Sequence, residues 1–172
     1  MALVFTVSSP LVVFTEPHAT NVANTLRAQF GDAIDFGSTE ERYSCELGWS
    51  GWSSLQKRAA DTCGPDAIPH FLSMEAWSGA YLPVETSTGT FEFPGDETNL
   101  DIGCLKNLIS ELELIGTSLD LPIDDAELDR LYHKYADDDE LIDDDMDVQT
   151  FTQLLPLARH ALAHRLPLWI VK

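Results

Sequence analysis

Apolar positions in the first half of the chain fall mostly in short runs. Leu3 to Val7 and Leu11 to Thr15 are rich in β-branched and aromatic residues and predict two short strands. A helix is expected from about Ala19 to Phe30, closed by Gly31. Residues 34–52 mix aromatic and polar side chains with glycine punctuation, which favours a hairpin. Trp52 to Ala60 then reads as a short helix stopped by Cys63-Gly64-Pro65. Further strands are expected near Pro69 to Trp77, Ala80 to Glu85 and Thr90 to Phe93.

After Pro94-Gly95 the period changes. Leu100, Cys104, Leu105, Leu108, Ile109, Leu112 and Ile115 recur at three and four, the spacing of one helix face. Asp124 is a credible N-cap for a second helix carrying Leu128, Leu131, Tyr132 and Tyr135. A third helix should run from about Val148 to His164, kinked or broken at Pro156. Pro167 to Lys172 reads as a final strand that returns to the N-terminal sheet. The expected fold is α+β in a single domain, residues 1–172, with a strand-rich lobe (1–93) packed on a mainly helical, acidic lobe (94–172).

Charge narrows the classes of partner. The chain has 10 Lys plus Arg against 29 Asp plus Glu, a formal net charge of -19 in 172 residues. A grip on phosphate backbones rests on Lys and Arg, so nucleic acid and anionic membranes are not expected partners. No apolar run approaches the length of a membrane helix. Residues 1–14 lack the basic flank and unbroken core of a signal peptide. The three cysteines, Cys45, Cys63 and Cys104, form no C-x-x-C pair, and together these features favour a reducing, cytoplasmic setting.

Motifs for chemistry are few. Gly48-Trp49-Ser50-Gly51-Trp52 has one spacer too few for a nucleophile elbow, and neither phosphate-binding glycine pattern occurs. His160 and His164 share a helix face at a spacing of four, which is half a zinc site without a third ligand. The reading is of a protein that is not an enzyme and needs no cofactor. Recognition is better supported. Trp49 and Trp52 stand in a short turn as candidate exposed anchors, and the segment from Asp120 to Asp147 holds 13 acids and 2 bases.

Within that segment, Asp137, Asp138, Asp139, Glu140, Asp143, Asp144, Asp145 and Asp147 place eight acids in eleven residues around Leu141-Ile142. With its flanks, LDRLYHKYADDDELIDDDMDVQTFTQLL, it resembles an EF-hand, and residues 100–131 look like the linker of a pair. The resemblance implies Ca²⁺ held by Asp137, Asp139, Asp143 and Asp145. The loop departs from the family: it has no glycine, its length fits neither apolar position, and the companion loop, Pro94 to Asn99, is short.

In general character the whole chain resembles bacterial immunity proteins that neutralise polymorphic toxins: it is small, very acidic and free of catalytic motifs. That resemblance implies stoichiometric inhibition, in which an acidic face built from Asp137, Asp138, Asp139, Glu140, Asp143, Asp144 and Asp145 with Trp49 and Trp52 occludes a basic site on a partner such as a toxin effector domain. A Ca²⁺-responsive module and a structural subunit of a larger assembly stand as alternatives.

Overall fold

The computed structural model describes residues 2–37, 43–74, 79–93, 99–136 and 145–171. Strand β1 (Ala2–Val7) is followed by a single helical turn, α1 (Pro10–Val13), and by α2 (His18–Phe30). Strand β2 (Tyr43–Gly48) runs directly into α3 (Trp49–Cys63), and a short helix α4 (Pro69–Leu72) precedes β3 (Gly79–Leu82). Next come β4 (Gly89–Glu92), β5 (Asn99–Cys104), α5 (Leu105–Ser118), α6 (Asp125–Ala136), α7 (Met146–Ala163) and β6 (Leu168–Val171).

The six strands form one mixed sheet in the order β2-β1-β6-β3-β5-β4. Only β3 and β5 run parallel; the other neighbours are antiparallel. Strand alternation splits the interior into two layers. Leu3, Phe5 and Val7 of β1, Tyr81 of β3, and Leu168 and Ile170 of β6 face α3, α5 and α7. Ala80, Leu82, Leu100, Ile102 and Trp169 face the other way and pack with Val22, Ala23 and Leu26 of α2. The fold is α+β. Four of the strands come from residues 1–93, yet β5 and β6 join the same sheet from the second half.

The final strand returns to the N-terminal sheet, as its pattern implied, and lies between β1 and β3. Trp169 Nε1 donates to the buried Ser8 carbonyl at 2.8 Å. Helix α6 starts at the expected cap: the Asp124 carboxylate accepts from the Ala126 and Glu127 amides at 3.1 and 3.2 Å. Helix α2 ends at Gly31, whose φ of 62° is a conformation L-residues disfavour.

Four local expectations are corrected. Leu11 to Thr15 is not a strand, because Ser9-Pro10 opens α1 with proline at the first helical position, where its missing N–H costs nothing. The same start signal at Pro69 makes residues 69–72 helical rather than extended; residues 75–77 of that predicted strand lie outside the described residues. Residues 99–104 are strand, not helix: Leu100 and Ile102 alternate into the second layer, while the coincident spacing of four from Leu100 to Cys104 imitates a helix face. The hairpin expected over residues 34–52 is absent among the described residues: β2 pairs with β1 and Trp49 is already helical, while residues 38–42 lie outside them. Helix α7 runs unbroken through Pro156. Loss of one backbone bond there is outweighed by burial of Leu154, Leu155, Leu157 and Ala158 on both sides.

Helices α3 and α7 cross at Gly51. A Cβ there would meet the Met146 carbonyl oxygen at 2.7 Å, and backbone cannot step aside as a side chain can. Gly51→Ala should therefore cost about 1–3 kcal/mol, measured as a lower urea midpoint with unchanged slope. An unchanged midpoint would mean that the two helices can separate freely.

Candidate protein-binding surface

Trp49 is the first residue of α3, immediately after β2, and 40% of it is exposed. Trp52, one turn later, is fully buried between Phe5 and Phe71, with ring centroids 5.3 and 5.2 Å away. The expected aromatic turn is thus the opening turn of a helix, and Trp52 is withdrawn as a surface anchor. Sequence could not separate the two, since a spacing of three fits either one shared face or one residue on each side of a boundary.

The crossing of α3 and α7 sets what lies beside the opening turn of α3. Ser50 Oγ is 3.2 Å from Met146 Sδ, and Asp145, half-buried, precedes Met146 at the entry to α7. Two residues into the helix, the Asp147 carboxylate is buried, with 5% of its side chain exposed, and accepts from Arg58 Nη1 of α3 at 2.7 Å and from the Val148 amide at 2.8 Å. An unpaired carboxylate at that depth would be costly, so Arg58 fixes where the acidic run enters the helix. Helix α6 ends at Ala136 and α7 begins at Met146, so the two helices flank the run as its resemblance implied. Asp137, Asp138, Asp139, Glu140, Asp143 and Asp144 themselves lie outside the described residues. The companion loop joins β4 to β5, not two helices.

Acidic surface extends along α6 beyond the run that sequence singled out. Asp125, Asp129, Tyr132, Thr152, Gln153 and Pro156 line a groove of about 280 Å³ between α6 and α7. Its base is braced by Arg159 of α7, which donates to Glu113 Oε1 at 2.8 Å, to the Ile123 carbonyl at 2.9 Å and to Asp125. Sequence analysis missed the groove. Its only trace in the sequence was Asp125 and Asp129 standing four apart on one helix face.

A second polar cluster, also unforeseen, lies at the ends of the parallel strands β3 and β5. Glu111 of α5 is buried, and its carboxylate accepts from the His70 and Phe71 amides at 3.1 and 2.7 Å, capping α4. Burial raises the Glu111 pKa, and the two amides partly offset this. Tyr81 Oη donates to the His70 carbonyl at 3.0 Å, and burial with the nearby Glu111 charge pushes the phenol pKa well up. The Cys104 amide donates to His70 Nδ1 at 3.0 Å, so Nδ1 carries no proton and Nε2 does. Asn107 Nδ2 lies 2.9 Å from that nitrogen, and a proton on Nε2 requires the Asn107 amide to turn its oxygen there instead. The cluster binds backbone to backbone: α4, β5 and α5 are locked together by it.

His160 and His164 stack with ring centroids 4.1 Å apart, and His164 Nδ1 lies 2.9 Å from the His160 carbonyl. Among the described residues no three His, Cys, Asp or Glu side chains converge as metal ligands. All three cysteines are free thiols, and burial pushes Cys45 up to about 12. Among the described residues no helix is long and apolar enough to cross a membrane. Searches for similar proteins found no matching family model, no matching curated protein and no matching solved structure.

His70 gives the protein a calculable response to acid. Burial holds it below its ordinary value of 6.5, so between that value and its lowered one the unfolded chain binds a proton that the folded chain refuses. The neutral ring's contribution is full above pH 6.5 and is lost as pH falls through the lowered value. In thermal melts from pH 7.5 to about 5, the wild type should lose more stability than His70→Asn, which keeps an acceptor near the Cys104 amide. Glu111 is common to both proteins, so its opposite response cancels. Parallel curves would show that His70 titrates as an exposed histidine does.

Proposed function

We propose that this chain is a non-catalytic, acidic binding protein of the cytoplasm that occludes a basic site on a partner protein, in the manner of the toxin-neutralising immunity proteins it resembles in general character. One observation carries the reading: the opening turn of α3, which carries the exposed Trp49, meets the start of α7 through Ser50 Oγ, 3.2 Å from Met146 Sδ, where the acidic run enters that helix. An apolar anchor next to dense negative charge divides the work of binding. Charge raises the rate of encounter with a basic surface, and the indole slows dissociation once water is expelled from around it. The groove with Asp125 and Asp129 extends the same sign of charge along α6. A basic effector domain of a toxin is the partner this arrangement suits.

A Ca²⁺-responsive loop is the second reading, favoured by the helices α6 and α7 on either side of the acids, with Asp137, Asp139, Asp143 and Asp145 as ligands.

Affinity capture from the protein's own cells, at low and high salt and with Ca²⁺ or EDTA, separates these readings. The inhibitor reading expects one dominant basic partner, retained without calcium and most strongly at low salt. Changing Asp138, Asp139, Asp143 and Asp144 to Asn should weaken that retention at low salt while leaving the fold intact. Trp49→Ala should weaken binding about tenfold or more while shifting stability by less than about 0.5 kcal/mol. Trp52→Ala should instead lower stability by about 3–5 kcal/mol, read by urea unfolding. Retention that is indifferent to salt and to Trp49→Ala would sink the reading, and retention that requires Ca²⁺ would replace it with the second.

A further inference from the structure

Strand β2 is an end strand of the sheet. It pairs with β1 through six consecutive register positions, from Ala2 opposite Gly48 to Val7 opposite Tyr43, without a bulge. In an antiparallel pair every second residue turns its N–H and C=O away from the neighbouring strand. The outer edge of β2 is therefore a row of backbone donors and acceptors, and among the described residues no further strand takes them.

Edges of this kind are normally blunted by lysine, proline, a bulge or extreme shortness, because they template pairing with other chains. Strand β2, with the sequence Tyr-Ser-Cys-Glu-Leu-Gly, has none of these; its one charged residue, the exposed Glu46, repels an acidic strand but not a basic one. The opposite edge, β4, is shorter, with four residues beginning at Gly89. Cys45 packs against the core of the helical layer, so the period of two sends Ser44 and Glu46 to the other face, where both are exposed. The same strand leads without a loop into Trp49.

We infer that the outer edge of β2 is the docking element: a basic, extended segment of the partner adds to the sheet as a further strand, with its neighbouring side chains reaching Trp49. This rests on the inhibitor reading and specifies how the same surface engages. Backbone pairing supplies affinity without regard to side chains, while the surrounding charge selects the occupant. A second copy of this chain offers an equivalent edge but brings another net charge of -19, so repulsion disfavours self-pairing. A strand rich in Lys or Arg meets the exposed Glu46 of β2 and the overall negative charge with opposite sign.

Amide hydrogen exchange on the intact wild-type chain tests the pairing, with two synthetic peptides of equal charge as probes. One alternates Lys and Val; the other has prolines in place of its central valines, which removes its ability to form a ladder. The alternating peptide should slow exchange of every second amide in residues 43–48 by roughly tenfold or more, and the proline peptide should not. Equal effects of both peptides, protection confined to α6 and α7, or no protection would overturn the inference. Protection of residues 43–48 without peptide, rising with protein concentration, would overturn it in favour of self-association. If capture identifies a salt-sensitive basic partner whose complex leaves the β2 amides unprotected, the inhibitor reading stands and strand pairing falls. If no partner is retained and β2 is unprotected, both fall.

Discussion

Everything in this fold depends on one strand being shared. Strand β6 hydrogen-bonds to β1 on one side and to β3 on the other, and among the described residues no other strand joins β2-β1 to β3-β5-β4. Remove it and the sheet divides into β2-β1 and β3-β5-β4. Each fragment would expose backbone groups and lose a facing surface for its helices. Because strand side chains alternate, β6 also supplies both interiors at once, sending Leu168 and Ile170 to one layer and Trp169 to the other. The Trp169 bond to the Ser8 carbonyl ties elements 161 residues apart. The helical layer and the α2 layer thus stabilise one another through a strand of four residues.

The sequence was most legible where one signal acted alone. The α2 stop at Gly31, the α6 cap at Asp124, the long apolar face of α5 and the returning terminal strand were all readable from local chemistry. It misled where two signals overlapped. Leu11 to Thr15 has strand-forming side chains behind a helix-starting proline, and the proline prevailed. Leu100 and Cys104 satisfy both a helix period and a strand period, and only the neighbouring β3 and β4 decide for the strand. At the candidate surface the acidic run and Trp49 were visible as composition. That the helices carrying them meet was not visible, because the crossing of α3 and α7 depends on Gly51 letting them approach. The His70–Glu111 cluster left no sequence trace, since its bonds run to main-chain amides that any residue would provide.

Charge is distributed unequally between inside and outside. Arg58 and Arg159, two of the few cations, are committed to carboxylates of the chain itself: the buried Asp147, and Glu113 and Asp125 nearer the surface. They hold α7 against α3, α5 and the start of α6. What remains outward is overwhelmingly negative, and the field around the molecule is correspondingly one-signed. Such a surface makes an encounter with a basic molecule fast at low ionic strength and indifferent to fine detail. Specificity then has to come from short-range geometry, which the rigid junction between β2 and α3 is suited to provide.

The shared strand follows β1 and β3 in chain order, so during synthesis it is made after both of the strands it joins. Until β6 emerges from the ribosome, β1 and β3 each lack a neighbour, and the two sheet fragments have nothing to join them. Such unpaired edges are the ordinary starting point of aggregation between nascent chains. The acidic segment between α6 and α7 is translated just before this closure. Mutual repulsion among chains waiting to close is therefore already strong at the stage when their edges are most vulnerable, so these acids act as a guard against pairing between copies.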